Sequence, residues 1–420
     1  MKKKILLKGP LLTRSGYGEQ TRFALRALRS RPDLFEIYIQ PLQWGQTSWL
    51  SSIDDEREWI DQTIEKTIGF FQQGGQFDIA LQVTIPNEWE KMAPMNIGYT
   101  AGIETTRVAP VWLQKANEVV NNVIVVSEHS KNVFLNTVAL ATNETTGEQM
   151  DYKLTVPIEA VNYPVKKYDN LEELDLDLKS DFNFLAVAQF GPRKNIPSTI
   201  KWFVEEFHDD ENAGLVVKTN IAKNCYMDRE KLVGDLKQFL KTLSAHKCKI
   251  YVLHGDMTDE EMHSLYRHPK ISALLALPHG EGFGLPIFEA AYSGLPVVAT
   301  GWSGQLDFLV DKERKEHFYN VAFDLQPVQE QVVWEDVLIK ESMWAYPREQ
   351  SAKEKMRQCY DDISNNVEES IAANSCDYAN SLMEDFAEEK MYEQFVNCIV
   401  PIEELKQMEE EIDGLLSDLL

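Results

Sequence analysis

Residues 271–300 read ISALLALPHGEGFGLPIFEAAYSGLPVVAT, one strand, a glycine-rich loop, a helix and the start of a second strand. Residues 271–277 are almost all apolar, as suits a strand buried on both faces of a parallel sheet. The loop His279-Gly280-Glu281-Gly282-Phe283-Gly284 lets the backbone approach a ligand closely. Pro286 suits the first turn of a helix and Gly294 the position just past its end. Such a loop, entering a helix N-terminus, offers free N–H groups and the positive end of a dipole, a combination that holds phosphate. Two carboxylates, Glu281 and Glu289, flank it.

Glu281 and Glu289 stand eight apart with Gly282, Phe283, Gly284, Leu285 and Pro286 between them. This resembles the E-x7-E signature of the retaining family 4 glycosyltransferases. The resemblance implies an α/β chain of GT-B fold, with two Rossmann-like domains facing across a cleft and C-terminal helices crossing back to the first. It also implies that the second domain holds a nucleotide-sugar donor. Glu281 would then meet the hydroxyls of the donor sugar, Glu289 the ribose, and the loop 282–285 the donor. Two solvated glutamates in an ordinary βαβ loop are the plainer alternative, which leaves the coincidence of glycines, Pro286 and Gly294 unexplained.

Composition agrees with a two-domain globular chain: 420 residues, 44% apolar and 26% charged. No apolar run is long enough for a membrane span, and the apolar start breaks at Lys8, too early for a secretory leader. Five scattered cysteines without a C-x-x-C pair suggest reduced thiols and a cytoplasmic setting. The net charge of −25, from 67 acidic and 42 basic residues, argues against an extended phosphate-tracking surface. Residues 401–420 alone hold seven acids and one lysine.

Residues 4–7 read as the first strand, 9–18 as a glycine-containing loop and 19–28 as a helix. The family's loop at this place faces the cleft, so Gly16 and Gly18 are expected near the donor. Arg22, Arg26 and Arg29 share one side of the helix. That side could meet a phosphorylated acceptor, a membrane or a nucleic-acid backbone, or simply face water. Strands at 35–40 and 77–83, with an acidic helix at 53–71 between them, extend the pattern. Residues 96–106 form a strand and loop in which the family often carries a histidine. This chain has Gly102-Ile103-Glu104 there, so Glu104 is either an acceptor contact or a structural hydrogen-bonding group. Ser127 is the expected cap of the next helix.

Residues 137–152 look like an exposed hairpin or loop. The Asp175-Leu176-Asp177 triplet has a metal-binding spacing but sits in an apparent linker, and no His or Cys spacing points to a metal. A new strand at 182–189 opens the second domain. It runs into Phe190-Gly191-Pro192-Arg193-Lys194, ahead of a helix at 197–207, and the strand at 214–217 ends in Lys218. The family clamps the donor pyrophosphate here with an arginine and a lysine, which gives Arg193 and either Lys218 or Lys194. Fixed cations stabilise the charge that grows on a departing diphosphate. Ser303 and Gly304, in Gly301-Trp302-Ser303-Gly304, stand where the family's backbone meets donor sugar or phosphate. Helices are read at 370–386 and 389–398, within a chain helical from 361 onward. The tail spaces Leu405, Met408, Ile412, Leu415, Leu416 and Leu419 as a helix that could pack on a neighbouring element or a second subunit, and a frayed acidic end is the alternative.

The resulting expectation is an N-terminal acceptor domain (1–170), a donor domain (181–375) and returning helices with an acidic tail (376–420). The activity expected is retaining, metal-independent transfer of a hexose, glucose first, from a nucleoside-diphosphate donor, UDP first. No cofactor is expected, and the acceptor is a glycan or small molecule. Two alternatives stay open: glucosylation of hydroxymethylated DNA bases, and a catalytically idle nucleotide-sugar-binding protein.

Overall fold

The computed structural model describes residues 2–45, 47–50, 53–142, 147–401 and 406–407. The proposed tail helix, and with it a dimer contact through that helix, lies mostly outside the described residues.

The chain opens on β1 (Lys3–Gly9), whose Ile5, Leu6 and Leu7 are fully buried. Ser15 then caps α1 (Gly16–Arg29), its hydroxyl accepting the Gly18 N–H at 2.9 Å. This cap starts the helix three residues before the expected Glu19, so Gly16 and Gly18 lie in its first turn rather than in the loop. There follow β2 (Phe35–Pro41), α2 (Asp55–Gln72), β3 (Ile79–Val83), β4 (Met95–Thr100), α3 (Pro110–Val119), β5 (Asn122–Val125) and α4 (Glu128–Asn136). The polar segment after α4 is a two-stranded antiparallel hairpin of β6 (Ala139–Thr142) and β7 (Gln149–Tyr152), before β8 (Ile158–Ala160). Six strands pair in parallel in the order β2-β1-β3-β4-β5-β8.

An extended segment leads to a second parallel sheet. Its elements are β9 (Phe182–Val187), α5 (Ile196–Glu206), β10 (Ala213–Lys218), α6 (Tyr226–Leu240), β11 (Lys249–Leu253), α7 (Asp259–Tyr266), β12 (Ala273–Ala276), α8 (Leu285–Tyr292), β13 (Val297–Thr300), α9 (Leu306–Leu309) and β14 (Tyr319–Val321). The order is β11-β10-β9-β12-β13-β14. Residues 323–347 add an antiparallel pair, β15 (Phe323–Pro327) and β16 (Met343–Pro347), that the sequence did not announce. Helix begins again at α10 (Glu349–Ser364), a dozen residues before the expected 361. The face of α10 bearing Ala352, Met356 and Cys359 is buried in the second domain's core, but its many charges hide that stripe.

The closing helices tie the halves together. α11 (Ser375–Asp385) packs on α8 of the second domain, and α12 (Glu388–Ile399) packs on α1 of the first. Phe395 lies 5.2 Å from Phe23 and 5.0 Å from Tyr99, ring centre to ring centre. Asn122 donates to the Cys398 carbonyl at 2.8 Å. Two Rossmann-like sheets with helices crossing back form the arrangement that the resemblance implies.

Candidate active site

In parallel α/β sheets, ligands collect where the carboxyl ends of the strands open into loops. The loops after β1, β2, β4, β9, β10 and β12 here meet around a cleft of about 630 Å³ between the two sheets. Gly16, Glu104, Arg193, Lys194, Lys218, Glu281, Glu289 and the loop from Gly282 to Leu285 all line it. The fold thus brings together residues separated by more than 260 positions in the sequence.

Its centre is a charge cluster. Arg193 Nη1 donates to Glu281 at 2.9 Å and to the Gly280 carbonyl at 2.7 Å, while Nη2 lies 3.3 Å from Glu104 of the first domain. Lys194 Nζ pairs with the other Glu281 oxygen. Burial alone would raise the Glu281 pKa, but Arg193 and Lys194 outweigh it and hold the carboxyl below its usual value. Burial and the neighbouring guanidinium push Lys194 down. The His279 N–H donates to the Arg193 carbonyl at 2.8 Å, so the two loops carrying the cluster are fixed to each other.

Lys218 lines the same cleft farther along, where its ammonium donates to the Gly255 carbonyl and burial lowers its pKa. Glu289 sits on the opposite flank, in the second turn of α8, and accepts from the Tyr266 hydroxyl at 3.0 Å. Burial pushes its carboxyl up to about 7, against the opposing pull of Lys166.

The glycines serve a purpose beyond ligand approach. A Cβ on Gly282 would fall 2.0 Å from the Ala101 carbonyl, so only glycine lets the first domain's loop rest on this one. Gly284, at φ 98°, caps α8 in the left-handed region. Ser127 donates to the Gly282 carbonyl, and Asp307 accepts from the Glu128 N–H and the Asn162 amide at 2.9 and 2.8 Å. Burial lifts Asp307 to about 6.

Several expected residues take other places. Ser303 and Gly304 do not line the cleft: Ser303 Oγ accepts the Glu281 N–H at 2.9 Å, and the Gly304 N–H donates to the Glu281 carbonyl at 3.0 Å. They brace the loop from behind. The Phe283 ring is buried against Phe288 and Phe308. Trp302 packs edge-on to His129 at 4.8 Å. Gly18 abuts Thr13 away from the cleft wall.

Arg22 and Arg26 do not form an open basic face. Arg22 is buried and donates to the Leu11 and Thr13 carbonyls at 2.7 and 3.0 Å, and to Glu19. Arg26 forks onto Glu56 through two 2.8 Å bonds, and Arg29 lies over the Trp59 ring. Helical spacing could group the three arginines, but it carried no information on Glu56 or Trp59, which arrive from elsewhere. Among the described residues, no group of three or more His, Cys, Asp or Glu is placed to hold a metal ion.

Residues the sequence did not single out also line the cleft, including Arg14, Tyr17, Trp44, Lys166 and Thr219. Lys166 bridges Glu19 and Asp259 at 2.8 Å each, joining both domains. Only their positions after the sheet strands could have flagged them.

Residues 175–322 match the family model described as glycosyl transferases group 1. Over 130 residues the chain is 29% identical to the serotype-specific mannosyltransferase WbdA of Escherichia coli, covering 31% of this chain and 15% of that one. Over 133 residues it is 35% identical to probable sucrose-phosphate synthase 5 of Oryza sativa subsp. japonica, covering 30% and 13%. The matched stretches thus span about a seventh of the length of these curated relatives. Among solved structures, sucrose-phosphate synthase from Thermosynechococcus elongatus superposes with a TM-score of 0.56 at 11% identity, covering 99% of this chain and 100% of that one. Anabaena Alr3699/HepE, solved in complex with UDP and glucose, superposes with a TM-score of 0.55 at 12% identity, covering 94% and 99%. The chain therefore has the GT-B fold, and its residues 175–322 are similar to the glycosyl transferases group 1.

Proposed function

We propose that the chain is a retaining, metal-independent hexosyltransferase of the family 4 type. In this reading it moves glucose from a UDP donor held by residues 181–375 to an acceptor held by residues 1–170, in a cytoplasmic setting. The observation that carries it is the Arg193–Lys194–Glu281 cluster set beside the α8 N-terminus in the interdomain cleft. Support for the donor class comes from the similar Anabaena structure, which was solved in complex with UDP and glucose. No described helix is long and apolar enough to cross a membrane.

In this mechanism the bond from the sugar's anomeric carbon to the β-phosphate oxygen breaks, and its electrons go to the departing UDP. Arg193 and Lys194 stabilise that charge, supplemented by Lys218 and the helix N-terminus. The acceptor hydroxyl forms the new bond on the face the phosphate leaves, and its proton passes to that phosphate oxygen. No protein side chain need act as a strong base. Glu281 orients the sugar hydroxyls and Glu289 the ribose.

The test is to screen UDP-, GDP- and ADP-glucose for stabilisation, which reaches about 2.7 kcal/mol at a hundred times the dissociation constant. Glu289→Ala should weaken binding of the free nucleotide, and Glu281→Ala should mainly lower turnover. Equal loss of nucleotide affinity in both would show the roles to be misassigned. An idle binding protein would bind the donor yet never release its sugar.

A further inference from the structure

The first domain's wall of the cleft has a composition of its own. Trp44, from the loop between β2 and α2, stands partly exposed on that wall. Its ring lies 4.3 Å from Tyr17 at an interplanar angle of 34°. Tyr17 is itself held, its hydroxyl paired with Thr100 at 2.7 Å and accepting the Gly102 N–H at 3.2 Å. The Trp44 carbonyl accepts from the Thr47 hydroxyl at 2.7 Å, and the Arg14 N–H donates to the Ser48 carbonyl at 2.7 Å. The indole thus packs against a tyrosine ring that is itself held, and Ser15, Thr47 and Ser48 line the same cleft.

The charges on this side are already engaged. Arg14 donates to the Met257 carbonyl at 3.2 Å and lies 3.8 Å from Asp256. Lys166 is shared by Glu19 and Asp259. A phosphate-rich acceptor would have to break one of these pairs to find a cation. A sugar ring needs none, because one of its faces presents C–H groups that pack on an aromatic surface while its hydroxyls bond to hydroxyls nearby.

We propose that Trp44 is the platform for the acceptor, and that the acceptor is an uncharged pyranose ring stacked on the indole. This rests on the glycosyltransferase reading above and names the substrate class of its acceptor half. Trp44 is a positioning residue here: it sets the ring so that one hydroxyl faces the anomeric carbon of the donor.

The experiment uses the full chain, UDP-glucose, and a panel of methyl hexopyranosides and disaccharides, with glycerol and hydroxymethylated duplex DNA as the other arms. Glucosylation of a pyranoside is expected. Its acceptor KM should rise at least about tenfold in Trp44→Ala, as loss of one aromatic contact implies, and far less in Trp44→Phe, which keeps a ring face. The donor KM should move much less than the acceptor KM. At saturating donor the acceptor KM should stay flat from about 50 to about 500 mM salt, since no charged contact to the acceptor is screened. In the wild type, the pyranoside should quench tryptophan fluorescence, and it should quench less in Trp44→Phe, a readout that does not depend on the alanine variant folding. An unchanged acceptor KM in both variants overturns the platform. So does transfer confined to DNA with a steep salt dependence. Release of free glucose from UDP-glucose, with no pyranoside glucosylated, overturns the platform and leaves the donor activity standing. Absence of both nucleotide binding and turnover removes the donor reading and the platform with it.

Discussion

The Tyr266 hydroxyl donates a hydrogen bond to Glu289 Oε2 across 3.0 Å, at the edge of a cluster formed by Glu19, Lys166 and Asp259. Burial raises the Glu289 pKa from 4.5 to about 7. The folded protein thus binds a proton that the unfolded chain releases, and the stability this brings is complete below about 4.5 and lost as pH rises through 7. Glu289→Gln should remove that loss, raising stability at pH 8 by on the order of 1–3 kcal/mol. Urea unfolding at pH 5 and pH 8 measures it, and an identical pH slope in the two proteins would refute the assignment.

The clamp makes a kinetic prediction. Arg193→Ala and Lys194→Ala should each cost roughly 2–4 kcal/mol in kcat/KM, as does loss of one donor to a developing oxyanion. Lys218→Ala should cost less, since its ammonium is bonded to the Gly255 carbonyl and not to Glu281. Activity should survive EDTA. Full rates in both clamp variants, or complete loss on chelation, would contradict a metal-free clamp.

Asp307 joins the domains through the Glu128 N–H and the Asn162 amide. Asp307→Ala leaves those donors without their acceptor, at a cost of about 1–3 kcal/mol. Calorimetric melting should show a lower midpoint, and Ser127→Ala, at a second tie between the domains, should add to the loss.

Replacing Arg22, Arg26 and Arg29 together by glutamine should lower stability without flattening any salt dependence of acceptor binding, because these groups bond to the protein itself. Binding of duplex DNA across a salt series gives the answer: a slope reduced by about one unit per arginine would restore them as phosphate contacts.

The sequence carried the second domain better than the first. Around α8, the strand run, the glycines, Pro286 and the two glutamates are adjacent in the chain, so one βαβ unit could be read with its chemistry in place. Arg193 was legible for a similar reason, standing at the mouth of a strand. Lys194, rather than Lys218, pairs with Glu281, and strand-end position alone could not choose between them. Ser303 and Gly304 were recognised as near the loop, but which side of it they occupy depends on the backbone path. Trp44 and Lys166 had no local mark, because Trp44 meets the ring of Tyr17 from an earlier loop and helix, and Lys166 meets Glu19 and Asp259 from distant segments of both domains. α10 was missed for a different reason: its buried stripe is three residues wide in a helix otherwise full of charge.

The return of α12 onto α1 also bears on how the molecule is made. Phe23 and Tyr99 are covered by Phe395, and α12 starts 228 residues after β8 ends at residue 160. During translation the first sheet therefore waits, with those rings uncovered, for roughly ten to forty-five seconds at ordinary elongation rates. Synthesis of the second domain fills that interval. The first sheet is thus closed over only after the second domain has been made.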